Sequence, residues 1–475
     1  MRRRLPLPTT GALVDQPRGF DLLRLPGLRR FFPWRHARAA LQLPLLALAV
    51  MAIVGNAFCA ACPLMLTRGP ADRLKRLLPR KVRWPSALKN KWLVAALLLT
   101  ILYAYEALDL WASPWLTAWL IVAYFAAALL VDAVFPAGTF CRYVCPLGTF
   151  NFVMSSISPS QVAAVDPNVC RRCVHKPCLH GRESRVGADA ATTELPFVPL
   201  SELVRANGAG SFPGCESKLF VPTMTSSMDC TACMNCVRAC PYDNVALRLR
   251  SPARELHSDM WRRRWGLPLS TLATLLAWWG LLNAVAMVPP FYDAAAWLAA
   301  VLGTRNEALL LGIVFAAVSL GGLALWATVG ATADLLGGAG FAPGRALRRW
   351  GYVFVALAFG TWAAHYLFHF LTGAAMIVPV TQPFFEWRGL PVDPDWRMAR
   401  WIPSAWLFPV TASVAAGYAM LGTYITIRIA LRDFGRRGAA AMWPMLLLTI
   451  ALAAGQLLVL AQPMQMRGTV LGPGF

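Results

Sequence analysis

The segment Cys230-Thr231-Ala232-Cys233-Met234-Asn235-Cys236-Val237-Arg238-Ala239-Cys240-Pro241 contains four of the 12 cysteines in the chain. Its spacing, C-x2-C-x2-C-x3-C-P, is typical of a loop that holds three thiolates on one iron-sulfur cube and sends the fourth to a neighbouring cluster. Such a loop supplies soft, anionic and closely spaced ligands, which suit iron-sulfur clusters. The segment therefore predicts a cluster-binding domain of the ferredoxin type.

A second group of cysteines lies upstream at Cys170, Cys173 and Cys178, and Cys215 follows at a distance. Cross-ligation, as in two-cluster ferredoxins, predicts two ligand sets. These are Cys170, Cys173, Cys178 and Cys240 for one 4Fe-4S cluster and Cys230, Cys233, Cys236 and Cys215 for the other. Zinc sites and a disulfide framework are the alternatives. Zinc needs no run of three evenly spaced thiols plus Cys-Pro, and disulfide frameworks are typical of small secreted domains.

The composition of the 475 residues indicates an integral membrane protein. Hydrophobic residues make up 57% of the chain and charged residues 14%, and the mean hydropathy is +0.51, which is far from a soluble composition. Crossing the hydrocarbon core takes about 20 apolar residues. The predicted spans are 39–58, 92–111, 114–135, 267–289, 307–331, 352–379, 406–430 and 440–461.

The fold class that we expect is mainly α, a polytopic membrane helical bundle with an inserted cytoplasmic two-cluster ferredoxin-like (α+β) domain. Within the insert, the stretch from Gly181 to Gly214 is rich in Gly, Ala, Ser and Pro, which is typical of an elaborated loop. The expected domains are a basic N-terminal tail (1–38), membrane segments with two Cys-Pro motifs (39–150), the ferredoxin-like domain (151–265) and a C-terminal five-helix membrane domain (266–475).

The net charge of +22 does not indicate nucleic-acid binding, because Lys and Arg cluster in loops beside apolar runs, where they orient the chain during insertion. The connection from about 142 to 266 and the segment 63–91 are both basic, which predicts that the cluster domain faces the cytoplasm at a bacterial-type inner membrane. The tail 1–38 also favours the inside, and one span at 39–58 cannot separate two inside segments. We therefore expect an irregular first segment; a helix missing before Cys59 is the alternative.

Two further cysteine pairs end in proline, Cys59-Ala-Ala-Cys62-Pro63 and Cys141-Arg-Tyr-Val-Cys145-Pro146. Each pair follows an apolar segment at its predicted cytoplasmic end. Four thiolates from two helix ends can surround one metal ion or one small cluster, which predicts a third redox or metal site. A thiol-disulfide pair and a set of buried, inert thiols are the alternatives.

Two Cys-Pro motifs followed by a two-cluster ferredoxin insert resemble the polyferredoxin membrane proteins of the NapH, NosR and CcoG type. These accompany periplasmic nitrate reductases, nitrous oxide reductases and haem-copper oxidase assembly, respectively. The resemblance covers roughly residues 39–250. It implies electron transfer across or along the inner membrane toward an extracytoplasmic acceptor. That family's usual spacing is C-x3-C-P, which Cys141 and Cys145 keep and Cys59 and Cys62 shorten by one residue.

The C-terminal half carries few polar groups that suggest chemistry. His365 and His369 lie four residues apart and share one helix face, so they cannot approach one haem from opposite sides. Thioether and imidazole ligands suit copper, and quinone contact or a structural role are the alternatives. The methionines near predicted outer helix ends are Met287, Met376, Met464 and Met466; Glu106 and Asp109 are candidates for a proton path.

These features predict a one-electron relay rather than a stand-alone enzyme. The sequence contains no recognisable nucleophile, acid-base pair or phosphate loop, so any reaction is expected to be redox chemistry. We expect redox protein partners on the cytoplasmic or periplasmic side, and basic residues near the clusters that dock an acidic donor. The alternative is a quinol-oxidising or cupric-reducing oxidoreductase with its site in the C-terminal membrane half.

Overall fold

The computed structural model describes residues 48–49, 51–53, 55–77, 82–108, 110, 113–182, 212–258, 266–376, 389 and 402–464. The basic tail 1–38 and most of the predicted span 39–58 lie outside these ranges. Most of the loop from Gly181 to Gly214 also lies outside the described ranges, as do Asp109 and Met466.

The part of the chain before the insert is a series of helices. They are α1 (Ala57–Ala60), α2 (Arg68–Leu77), α3 (Trp92–Ala107), α4 (Pro114–Val134) and α5 (Pro146–Met154). A π-helical turn, Phe140–Val144, precedes α5. The helix expected at 92–111 ends at Ala107 and is 16 residues long, which leaves it shorter than a typical span. Ser113 caps α4, and Pro114 occupies its first turn.

The insert contains two short antiparallel strand pairs. Its elements are β1 (Ser160–Ala164), α6 (Pro167–Arg172), α7 (Pro177–His180), β2 (Gly181–Arg182), β3 (Phe212–Pro213), α8 (Asn235–Ala239), β4 (Val245–Leu249) and α9 (Arg254–His257). Strand β1 pairs with β4, with Ser160 opposite Leu249, and β2 pairs with β3. Because its first and last strands pair, the two ends of the insert lie side by side.

The C-terminal part contains long apolar helices with shorter ones between them. They are α10 (Gly266–Val285), α11 (Pro289–Leu302), α12 (Glu307–Leu336), α13 (Pro343–Trp350), α14 (Val353–Gly373), α15 (Leu407–Phe434) and α16 (Gly438–Leu460). The span expected at 267–289 ends at Val285, and Pro289 opens a separate helix that the sequence did not indicate.

Five stretches of the described chain are long and apolar enough to cross a membrane. They are Trp115–Val134, Gly266–Val285, Glu307–Leu336, Val353–Gly373 and Ser404–Leu460. The last stretch contains two helices, α15 and α16, joined by the 3-10 turn Gly435–Arg437. The prediction of a mainly helical, multi-pass membrane protein is therefore confirmed.

Helices α10 and α14 form the interior of the bundle, since most residues of both are buried. Their contact is close: a Cβ added at Gly280 on α10 would lie 2.8 Å from Trp362 Nε1 on α14. Trp362 Nε1 donates to the carbonyl oxygen of Leu276 at 2.9 Å, and Trp279 Nε1 donates to Ser319 Oγ on α12 at 2.9 Å. Small residues and interhelical hydrogen bonds of this kind hold helices together where no hydrophobic force acts between them.

A buried arginine anchors the insert to the end of the first helical part. Arg250, just beyond β4, donates through Nε to the carbonyl oxygen of Ser158 and through Nη2 to that of Ser156. Its Nη1 lies 2.5 Å from Glu255 Oε1, and the Glu255 carboxylate accepts from the backbone N–H of Ser227. Both side chains are almost fully buried, so the ion pair needs these extra hydrogen bonds to offset its desolvation.

Candidate iron-sulfur sites

The first thiol group comprises Cys170, Cys173, Cys178 and Cys240, and all four line one pocket. Helix α6 carries Cys170, and the Asp166 carboxylate caps that helix by accepting from the N–H of Asn168 at 2.8 Å. Asn244 Nδ2 donates to Cys170 Sγ at 3.1 Å. The four residues predicted to share one cluster are therefore brought together, with Cys240 arriving from the far run.

The second thiol group comprises Cys215, Cys230, Cys233 and Cys236. Cys236 lies on α8 and, as a thiolate, would be repelled by each of the other three. The backbone N–H of Leu219 donates to Cys215 Sγ at 3.3 Å. Cys215, which is distant in sequence, thus joins the three thiols of the run that begins at Cys230.

The backbone around the first two thiol groups is unusual. Among the described residues, every non-glycine residue with a left-handed φ lies between 176 and 253. These residues are Lys176, Lys218, Asp229, Ala232, Met234, Asp243 and Ala253. Such conformations cost of order 1–3 kcal/mol each and cluster where the chain surrounds a ligand. Left-handed residues at Ala232 and Met234 interrupt the run between successive cysteines, so the chain wraps rather than continuing as a helix.

The third thiol group comprises Cys59, Cys62, Cys141 and Cys145, at the ends of α1 and of the π-helical turn. Cys145 Sγ accepts from the N–H of Gly148 at 3.1 Å, and Asn151 Nδ2 lies 3.6 Å from Cys59 Sγ. A thiolate at Cys145 would be repelled by the other three. Residues three or four apart lie on the same side of a helical turn. The C-x2-C spacing therefore allows Cys59 and Cys62 to face Cys141 and Cys145, as a C-x3-C spacing would.

Burial opposes negative charge in all three groups. It raises the pKa of Cys59 and of Cys178 to about 11, and the pKa of Cys141 and of Cys230 to about 12. Four adjacent thiolates therefore require a bound cation, because metal ligation displaces the thiol protons. Within the described ranges, no group of three or more His, Cys, Asp or Glu side chains is arranged for a single metal ion.

Sequence reasoning missed a set of buried polar residues between the second and third thiol groups. Lys91 Nζ forms an ion pair with Asp229 Oδ1 at 2.8 Å, and neither side chain is exposed. Asn56 Nδ2 donates to the carbonyl oxygen of Cys230 at 3.3 Å. The only signal was that Asp229 directly precedes Cys230; Lys91 belongs to a basic segment that membrane orientation already explained.

The histidines of α14 contact each other. Nε2 of His365 and Nε2 of His369 are 3.2 Å apart, and His365 is only 3% exposed. Two imidazole nitrogens at about 2.0–2.1 Å from one metal ion would be separated by a similar distance. Met464 packs against a small cluster that includes Ala364, beside His365 in the chain. Met466 and Asp109 lie outside the described residues, and Glu106 lies in the last turn of α3.

No family model, no curated protein and no solved structure matches this chain.

Proposed function

We propose that this protein is a membrane-bound electron-transfer protein that binds two 4Fe-4S clusters, one at the first thiol group and one at the second. The observation that carries the proposal is the crossed grouping of the thiols. Cys240 lines a pocket with Cys170, Cys173 and Cys178, while Cys215 lies with the three other cysteines of the downstream run. Crossing of this kind is a property of two-cluster ferredoxins.

The connectivity of the insert supports a ferredoxin-like domain. One cysteine run follows β1 and the other precedes β4, and these two strands pair with each other. This arrangement, together with the two Cys-Pro motifs, supports kinship with the polyferredoxin membrane proteins of the NapH, NosR and CcoG type. We place the insert on the cytoplasmic side of a bacterial inner membrane because its flanks are basic.

The residues of the chain bind the clusters and hold them close to each other. The N–H of Cys215 donates to the carbonyl oxygen of Cys178 at 2.9 Å, so the backbone joins the first and second groups directly. When bound, 4Fe-4S clusters accept and release single electrons at potentials set by hydrogen bonds, charge and exposure. Asn244 and the N–H of Leu219, which donate to sulfur, would favour the reduced state of each cluster.

Anaerobic purification tests the proposal. The full chain should contain at least about eight iron and eight sulfide per molecule, and an EPR signal should appear on reduction. Cys236→Ser and Cys178→Ser should each remove about four irons, whereas Ser227→Ala, beside the second group but not a thiol, should remove none. A colourless, iron-free wild-type protein, or zinc in place of iron, contradicts the proposal.

A second function is favoured by the close approach of His365 and His369: oxidation of a quinol, or reduction of cupric ion, within the membrane half. Trp362 stacks on Tyr366 with ring centroids 5.7 Å apart, and Phe150 of α5 meets Trp362 edge-on at 5.5 Å. Aromatic side chains therefore connect the helix that follows Cys145 with the histidine helix. Loss of quinol or cupric turnover in His365→Ala, with iron content unchanged, would support this function; unchanged turnover would exclude it.

A further inference from the structure

We propose that the third thiol group, Cys59, Cys62, Cys141 and Cys145, binds an iron-sulfur cluster of its own and exchanges electrons with the second thiol group. The inference rests on the proposed function, because the second group must hold a cluster for the exchange to occur. It adds a third cluster site and an order of electron transfer, from the first group to the second and from the second to the third. Three contacts join the second and third groups, and charged side chains form two of them.

The first contact is Asn56, which lies on α1's N-terminal side and is 2% exposed. Its Nδ2 donates to the carbonyl oxygen of Cys230 at 3.3 Å, and its own carbonyl oxygen accepts from the N–H of Cys59 at 3.3 Å. Asn56 therefore touches a ligand residue of the second group through its side chain and a ligand residue of the third through its backbone. Electron transfer over such a path crosses one residue between two cysteines.

The second contact is the ion pair between Arg68 and Glu216. Arg68 Nη1 lies 3.0 Å from Glu216 Oε2, and Arg68 closes the 3-10 turn Pro63–Thr67, which begins directly after Cys62. Glu216 follows Cys215 in the chain and accepts from Asn235 Nδ2 at 3.1 Å. The pair thus links the turn that follows Cys62 to the backbone and helix of the second group.

The third contact is the buried ion pair of Lys91 with Asp229. Lys91 Nζ also donates to the carbonyl oxygen of Arg142 at 2.7 Å, directly beside Cys141. Arg142 Nε approaches Asp229 Oδ2 at 3.5 Å, and its Nη1 donates to the carbonyl oxygen of Ser217 at 3.2 Å. Asp229 itself precedes Cys230, so these side chains connect the loops that carry both groups.

The charges between the two groups favour anionic occupants on both sides. Three cations, Arg68, Lys91 and Arg142, face two carboxylates, Glu216 and Asp229. Beside the third group, Asp132 Oδ1 accepts from the backbone N–H of Phe140, which precedes Cys141, at 3.1 Å. Buried charge is costly unless it is balanced, and a cube held by four thiolates carries net negative charge. Thiolate ligands without imidazole or carboxylate suit soft metal centres and iron-sulfur clusters.

The proposed step moves one electron and nothing else. The cluster of the second group loses one electron as the cluster of the third group gains it, and no bond or proton is exchanged. The reductant is the donor that reduces the first two clusters. From the third group, α5 leads toward Phe150 and the aromatic residues of α14, so this group is connected to the membrane helices.

The test is metal analysis and EPR of the full chain, purified anaerobically in detergent. Wild-type protein should contain about twelve iron and twelve sulfide, and Cys59→Ser and Cys145→Ser should each contain about eight. Serine at 145 keeps an oxygen that can accept from the N–H of Gly148, so the cap of α5 is preserved. Leu66→Ser is the matched control, since Leu66 is 76% exposed and lies between Cys62 and Arg68.

A second variant separates ligation from contact. Asn56→Ala removes the side-chain hydrogen bond to Cys230 and no thiol, so iron should stay near wild type while the magnetic interaction between the second and third clusters weakens. Wild-type protein with about eight irons, unchanged in Cys145→Ser, overturns the inference and leaves the proposed function standing. One zinc per chain that is lost in Cys145→Ser also overturns it. Iron below about eight, unaffected by Cys236→Ser, defeats the proposed function itself.

Discussion

Lys91 and Asp229 illustrate how single residues hold this protein together. Both side chains are fully buried, and they join the start of α3 to the loop before Cys230 across a long sequence separation. A buried ion pair contributes little net stability when intact, yet removing one partner leaves an uncompensated charge that costs about 3–5 kcal/mol. The pair is therefore a determinant of which loops lie together.

Lys91→Met should lower the thermal stability of the detergent-solubilised protein by an amount equivalent to about 3–5 kcal/mol, because Asp229 would remain buried with less compensation. Lys91→Arg should be milder, since it keeps the charge but not the geometry of an ammonium. Thermal unfolding followed by circular dichroism measures both. Lys89→Met is the control, because Lys89 is exposed; equal losses in Lys89→Met and Lys91→Met would contradict the prediction.

At the scale of elements, the segment that leads into the π-helical turn Phe140–Val144 lies against Glu216, which follows Cys215. The N–H of Cys145 donates to the carbonyl oxygen of Phe140 at 2.8 Å, and the turn is approached through Gly138, whose φ is +79°. A Cβ at Gly138 would lie 2.6 Å from the carbonyl oxygen of Glu216. The backbone of Gly138 lies directly against the backbone of Glu216 and Ser217, so no space remains for a side chain.

Gly138→Ala should separate the turn from the 215–217 segment, because neither the left-handed φ nor the 2.6 Å approach tolerates a methyl group. We expect loss of the magnetic interaction between the second and third clusters, with a lower melting temperature. Gly303→Ala is the matched control, since Gly303 has a φ of +61° but nothing within 4 Å of an added Cβ. Similar EPR changes in both variants would show that strain, rather than contact, is responsible.

The contact between α10 and α14 depends on Gly280 in the same way. Gly280→Val should push Trp362 away and break its hydrogen bond to Leu276, which lowers stability and, if the histidine helix carries turnover, lowers turnover as well. Gly321→Val on α12 is the matched control, because nothing lies within 4 Å of an added Cβ there. It measures the effect of placing valine in a membrane helix without a clash. Thermal unfolding of the two variants decides the matter; equal melting temperatures would contradict the prediction.

At the scale of the whole molecule, the three thiol groups follow one another by contact. The N–H of Cys215 bonds the carbonyl oxygen of Cys178 between the first and second groups, and Asn56 bonds Cys230 between the second and third. Phe150 and Trp362 then connect α5 with the interior helix α14. Under the proposed function, electrons would move along this order between the insert and the membrane helices.

The proposed cytoplasmic placement of the insert can be tested against its position relative to α10. A single span, α10, separates the insert from the 303–306 loop, so the two should lie on opposite sides of the membrane. Alkaline phosphatase inserted at 303–306 should be active and phosphatase inserted at 183–211 inactive, because the enzyme folds only outside the cytoplasm. Green fluorescent protein at the same two positions is the converse control. Phosphatase activity at 183–211 would contradict the cytoplasmic placement.

The sequence alone determined the membrane class, the approximate helices and the identity of the thiols, because apolar run length and cysteine spacing are local properties of the chain. It misplaced the ends of α3, which stops at Ala107, and of α10, which stops at Val285 before Pro289 begins α11. It gave no sign of α11 as a separate helix.

Only the tertiary structure decided what lies between the sites. The pairing of Lys91 with Asp229, of Arg68 with Glu216 and of Asn56 with Cys230 joins residues that are far apart in the chain. No periodicity or spacing records such pairs, because they depend on how packed helices bring separate loops to one place. Local pattern thus determined which residues are candidates for binding a cluster, and long-range packing determined which of those residues meet.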